Sequence, residues 1–213
     1  MSLRDTYDTV ARAYDAQLAD ELDHKPLDRA LLAAFLELAG PGPVADVGCG
    51  PGHVTRFLAA RHPDVRGLDL SPAMIGIARE RAPGLPFAVG SMLELPVPDD
   101  AWAGAVALYS IIHLSAAERA VAFRELARAV RDGGWLLVSF HVDGPDLPAG
   151  GTTHLTSWFG SQVDVDVHFL EPAAVSAELA AAGFRVESML YREPLDPAEF
   201  PSRRAYLLAR RAG

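Results

Sequence analysis

Three glycines and one acid are the residues in this chain best suited to bind a ligand. Gly48, Gly50 and Gly52 occupy every second position of Val44-Ala45-Asp46-Val47-Gly48-Cys49-Gly50-Pro51-Gly52, and Asp69 ends the next apolar stretch, Arg66-Gly67-Leu68-Asp69-Leu70. Glycine lets backbone approach a ligand where a Cβ would intervene. A carboxylate at the tip of a second strand can accept hydrogen bonds from both hydroxyls of a ribose. Strand, glycine turn, helix (His53 to Arg61) and strand ending in Asp together describe a nucleoside-binding βαβ unit. The alternation differs from the G-x-G-x-x-G of dinucleotide enzymes, in which a pyrophosphate sits on the helix N-terminus. Asp69 also suits a plain helix N-terminus. Asp46 suits both a turn-organising carboxylate and a ligand contact, and Cys49 suits a small turn residue.

A second group lies further along. Tyr109-Ser110-Ile111-Ile112-His113 follows a fourth apolar stretch, at the carboxyl end of the sheet where open α/β folds bind ligands. His113 is a candidate general base; two residues before the Ser115 cap, it also suits a helix-capping role. Tyr109 either shapes the reacting pocket or packs. His141, His154 and His168 are 13 and 14 residues apart. No ligand pattern has those spacings, so surface or substrate-pocket histidines are expected in place of a metal site. Trp158-Phe159 and Phe169 either line an apolar substrate cavity or anchor their segment to the core. Tyr7 and Tyr14 either fold over the site as a lid or pack as an amphipathic face.

The elements that must position these groups are legible from pattern. Strands are expected at Val44–Val47, Val65–Asp69, Leu85–Val89, Gly104–Tyr109 and Trp135–Phe140, alternating with helices, which favours a doubly wound, mostly parallel sheet. Ser71-Pro72 supplies an N-cap and a first-turn proline. Ser115-Ala116-Ala117-Glu118 is a capping box opening a helix to Val130, with Gly133-Gly134 expected to end it. Residues 1–40 read as a helical cap. Residues 141–170 read as a variable, turn-rich insert on the substrate side that then alternates as Val163-Asp164-Val165-Asp166-Val167. Glu171-Pro172 opens a helix ending at Gly183, and strands at Phe184–Tyr191 and Arg204–Ala209, joined by a proline-rich turn, read as a closing antiparallel pair.

Composition narrows the class. A chain of 213 residues suits one domain, 1–213. Nineteen basic against 28 acidic residues give a net charge of −9, which argues against nucleic acid as a partner. No window has the ~20 unbroken apolar residues of a membrane helix. The first residues carry no apolar export signal, and one cysteine suits a reducing cytoplasm. A cytoplasmic protein acting on small molecules is expected.

With these motifs in order, the chain resembles the class I S-adenosylmethionine-dependent methyltransferases, small-molecule branch. The resemblance rests on Ala45 to Gly52, Gly67 to Met74, Gly90-Ser91-Met92-Leu93-Glu94-Leu95-Pro96 and Leu126 to Gly134. It is close over residues 44–140 and looser beyond. It implies a Rossmann-like, seven-stranded, mostly parallel sheet with its last strand antiparallel, and S-adenosylmethionine as cofactor. Asp46, Gly48, Cys49, Gly50 and Gly52 then form the methionine-side cradle, Asp69 is the ribose acid, and Leu70 and Met74 lie near the adenine. Ser91-Met92 stands where the family often has an acid at the adenine amino group. Tyr14 belongs to the lid over the cofactor.

The implied reaction moves a methyl group to O, N or C of a small acceptor. Holding the nucleophile in line can supply ~7 kcal/mol or more, and one general base, His113 with Tyr109 beside it, a factor of ~100 or more. A non-catalytic S-adenosylmethionine-binding scaffold and a nucleotide-dependent oxidoreductase are the alternatives.

Overall fold

The computed structural model describes residues 1–195, 197 and 199–213. Seven strands form one sheet in the order β3-β2-β1-β4-β5-β9-β8. These are β1 (Val44–Val47), β2 (Val65–Asp69), β3 (Phe87–Val89), β4 (Trp102–Leu108), β5 (Val130–Asp143), β8 (Phe184–Arg192) and β9 (Arg203–Arg211). The first five pair in parallel, while β9 runs antiparallel to both β5 and β8. All four residues of β1 are buried, as expected of a central parallel strand covered on both faces. Small residues in β4 (Gly104, Ala105, Ala107) leave room for Phe35 on one side and Phe123 on the other side's core.

Helices α2 (Pro26–Ala39), α3 (His53–Ala59), α4 (Pro72–Arg81), α5 (Ala116–Ala129) and α6 (Pro172–Ala181) flank the sheet. Ser71 caps α4 through Met74 N–H, and Ser115 with Glu118 closes the capping box of α5. That helix stops earlier than the glycines suggest. Val130 is already extended and pairs with Trp102, so strand pairing takes over before Gly133, which instead sits at φ +71° within β5. The proline-rich turn between β8 and β9 includes positions 196 and 198, outside the described residues.

Two elements close over the carboxyl edge of β1, β2 and β4. One is α1 (Leu3–Leu18); the other is a separate hairpin of β6 (Thr152–Trp158) and β7 (Ser161–His168). The alternation read in 163–167 is β7, with Val163 and Val165 buried against Val10 of α1. Its partner strand carries a weaker signal. The two residues between the strands, Phe159 and Gly160, have φ +49° and +76°, the handedness of a tight hairpin turn, but phenylalanine replaces the usual Asn or Asp. Trp158 and Phe159 stack on each other and meet Tyr7 and Tyr14 edge-on. They anchor the hairpin to α1. Phe169 is buried beside His141.

Helix α1 is also fixed to α4. Asp8 accepts from Ser71 Oγ and from Ala73 N–H, Arg81 reaches Asp15, and Arg12 forms a two-pronged pair with Glu80. The last pair is exposed and contributes little; Asp8 and the largely buried Asp15 do more to set the helix in place.

Candidate functional site

The glycine turn and Asp69 are one hydrogen-bonded unit. Gly50 N–H donates to Asp69 Oδ2 at 2.8 Å, and Ser71 N–H donates to Oδ1 at 2.8 Å. A carboxylate offers about four acceptor positions, so each oxygen keeps one for a further donor, which suits a vicinal diol. Burial pushes the Asp69 carboxyl above its ordinary pKa, against those two amide bonds. Gly48 is at φ +78°, and a Cβ there would fall 2.3 Å from Ser110 Cβ. A Cβ on Gly50 would point toward the Tyr14 ring, so its bare face is part of the wall.

This unit lines a cavity of about 610 Å³ together with Leu70, Ser91, Met92, Tyr7, Tyr109 and His113. Ser91 Oγ accepts from Leu93 N–H and so closes its own turn. A side pocket of about 40 Å³ opens past Tyr14 and Gly50, walled by Asp46, Glu21 and His53. Asp46 accepts from Thr55 Oγ1 at 2.6 Å, and burial raises its pKa to about 6. His53 Nε2–H donates to Glu21 at 2.7 Å, and Lys25 takes the other oxygen. Burial works to raise the Glu21 pKa, but His53 and Lys25 outweigh it and hold it at about 2. His53 Nδ1 is buried with no partner among the described residues.

His113 is held at both ring nitrogens. Nδ1 lies 2.8 Å from the Asp166 carbonyl of β7 and Nε2 lies 2.6 Å from the Tyr7 hydroxyl of α1. A carbonyl only accepts, so Nδ1 carries the proton and the neutral ring accepts from Tyr7 O–H at Nε2. Burial lowers the imidazole pKa to about 4, so the neutral form prevails at pH 7. The same burial raises the Tyr7 hydroxyl.

Tyr109 presents its ring to the cavity and spends its hydroxyl elsewhere. Its backbone is in the left-handed region, φ +53°, a conformation that costs a bulky residue about 1–3 kcal/mol and clusters at functional sites. Tyr206 donates to Asp28, so its oxygen accepts from Tyr109 O–H at 2.8 Å and from Arg192 Nε–H at 3.1 Å. Arg192 bridges Asp28 and Glu199, and Glu199 also meets Arg204, all of them buried. This network commits the Tyr109 hydroxyl, so a role for it as acid or base does not fit the geometry; the ring is a wall.

The structure thus brings together Asp46, Gly48, Gly50, Asp69, Leu70, Ser91, Met92, Tyr14, Tyr109 and His113 around the cavity and its side pocket. Cys49 lines the side pocket and packs its buried side chain into a cluster with Ile75, Ala78 and Phe87. Met74 lies outside the cavity, packed with Ala11 and Ile77, because the inward face of α4 is claimed by α1. Gly52 caps α3 behind the turn, against Phe87. His141 bonds Ser202, His154 sits between Asp164 and Asp166, and His168 meets Thr152. Glu21, Lys25 and His53 carry no motif in the sequence. Only the i,i+4 spacing of Glu21 and Lys25 hints at their pairing.

The residues fit S-adenosylmethionine: a diol acceptor at Asp69, a bare glycine wall, and a side pocket with an unpartnered imidazole nitrogen and two carboxylates for an amino-acid end. Similarity to known proteins points the same way. A methyltransferase-domain family model matches residues 44–134. A trans-aconitate 2-methyltransferase of Rhodopseudomonas palustris is 30% identical over 216 aligned residues, covering 84% of this chain and 80% of that protein. One of Methylobacterium nodulans is 40% identical over 128 residues, 58% of this chain, and the match spans about half of that protein (47%). The solved structure of a methyltransferase from Methanosarcina mazei superposes with a TM-score of 0.71 at 18% identity, covering 85% of this chain and 97% of that one, which shows a shared fold. The chain belongs to the class I S-adenosylmethionine-dependent methyltransferases.

Proposed function

We propose that this chain is a cytoplasmic enzyme of one domain, residues 1–213, that transfers a methyl group from S-adenosylmethionine to O, N or C of a small organic acceptor. The observation that carries this reading is a single cavity joining the Gly50–Asp69 unit to the Tyr7–His113 pair. When bound, the cofactor supplies a methyl group whose bond pair departs with sulfur. Asp69 holds the ribose, Gly48 and Gly50 give the backbone wall, Leu70, Ser91 and Met92 flank the adenine, and Asp46, Tyr14, Glu21 and His53 receive the amino-acid end. Residues 1–40 form the cap and residues 141–170 the substrate-side insert. Closing them over the site excludes water and fixes the acceptor in line, an orientation effect of ~7 kcal/mol or more. His113, through its hydrogen-bonded partner Tyr7, supplies the basic nitrogen where the acceptor carries a proton.

Calorimetry with S-adenosylhomocysteine tests the cofactor assignment, and micromolar binding is expected; tighter binding of NAD would overturn it. Turnover is tested with a panel that includes trans-aconitate, after which the relatives are named. Binding without turnover of any acceptor would mark a scaffold.

A further inference from the structure

The geometry points to Tyr7 as the residue that takes the proton from the acceptor and passes it to His113, and hence to an acceptor whose nucleophile arrives protonated, a hydroxyl or an amine. The inference rests on the reading of the cavity as a methyl-transfer site. His113 cannot meet an acceptor directly. Its Nδ1–H is bound to the Asp166 carbonyl at 2.8 Å, and its one lone pair, on Nε2, is filled by Tyr7 O–H at 2.6 Å. Tyr7 and His113 both line the cavity, and of this hydrogen-bonded pair only the Tyr7 oxygen still has lone pairs to accept a hydrogen bond.

The step balances. The acceptor O–H or N–H proton moves to Tyr7 Oη while the Tyr7 proton moves to His113 Nε2; the pair left on the acceptor forms the new bond to the methyl carbon, and the old carbon–sulfur pair stays on sulfur. His113 becomes cationic as the donor's positive charge disappears, so the buried site holds one positive charge throughout. That offsets the weak basicity which burial imposes on the imidazole. A carboxylate acceptor is ionised at pH 7 and needs no such relay. Among the described lining residues the formal charges are Arg4 against Asp5, Asp69 and Glu118, a balance that repels a polyanion. A base built of two side chains has no purpose for trans-aconitate.

Two measurements test this with the full chain. In the S-adenosylhomocysteine complex, 15N-histidine NMR, with His113→Gln used for assignment, should show His113 neutral with its proton on Nδ1 at pH 7; a proton on Nε2, or an imidazolium, overturns the relay without any acceptor. Methyl transfer from S-adenosylmethionine to tyramine, p-cresol and trans-aconitate is then compared for wild type and Tyr7→Phe. The relay predicts transfer to the phenol or amine, lowered about a hundredfold or more in kcat by Tyr7→Phe, with S-adenosylhomocysteine affinity changed less than threefold. Equal turnover of trans-aconitate by both proteins overturns it while leaving methyl transfer standing. Failure of wild type to bind S-adenosylhomocysteine would instead strike the cofactor reading.

Discussion

Gly50 and Asp69 lie 19 residues apart and share a 2.8 Å hydrogen bond, so the turn and the acid on the next strand cannot be altered independently. Asp69→Ala removes two amide acceptors as well as the ribose partner. Binding of S-adenosylhomocysteine should weaken by ~1–3 kcal/mol, and the ligand-free protein should also melt earlier. Calorimetry and a thermal melt separate the two; unchanged values in both would show the acid was misplaced.

The side pocket should read only the amino-acid end of the cofactor. His53 and Glu21 wall that pocket and not the main cavity. His53→Ala should therefore weaken S-adenosylhomocysteine about tenfold, the loss of roughly one hydrogen bond to a charged group, and leave adenosine affinity unchanged. A matched loss for both ligands would place His53 elsewhere in the recognition.

Behind Tyr109 the buried ion network offers a stability test. Asp28→Ala leaves Glu199 as the one carboxylate paired with Arg192 among the described residues and deprives Tyr206 of its acceptor, and removing one partner of a buried pair costs about 3–5 kcal/mol. Tyr109→Phe keeps the ring and loses one hydroxyl bond, so a loss of about 1 kcal/mol with kcat nearly unchanged is expected. Urea unfolding with a parallel turnover assay checks both. A collapse of kcat in Tyr109→Phe would restore chemistry to that hydroxyl.

Acid should destabilise this fold through its histidines. Burial holds His113 at about 4 and His141 at about 3, both below the ordinary imidazole near 6.5. Between pH 6.5 and these values the unfolded chain binds more protons than the folded one, so stability falls as pH falls. Asp46 acts in the opposite sense. Its folded pKa of about 6 lies above the ordinary value, so its contribution is present at pH 4 and lost as pH rises through 6. His141→Phe should flatten the loss of stability between pH 6 and 4, measured by urea midpoints across that range; an unchanged slope would show that His141 is charged in the fold.

The sequence carried the sheet well because its signals are local. β1 and β2 begin and end at the residues their apolar runs suggest, and the Ser71 and Ser115 caps start their helices where side chain and backbone can pair within one turn. What escaped it depends on distance along the chain. Tyr7 meets His113 across 106 residues, His53 meets Glu21 across 32, and Tyr109 meets Tyr206 across 97. Tyr7 and Tyr14 read in the sequence as a lid or as packing; in the fold they pack against Trp158 and line the cavity. The resemblance implies Met74 near the adenine; in the fold its side chain packs with Ala11 of α1 and Ile77.

The chain has a single lysine, Lys25, and the fold buries it to 8% exposure, its ammonium paired with Glu21 and 5.1 Å from the centre of the Tyr109 ring. The folded surface therefore offers no side-chain amine to acylating reagents, and lysine-directed cross-linkers, biotin esters or resins will find little but the chain terminus. Lys25 becomes a built-in chemical clock: its rate of acylation, followed by mass spectrometry, reports how often the joint between α1 and α2 opens, and a saturating ligand in the side pocket should slow it.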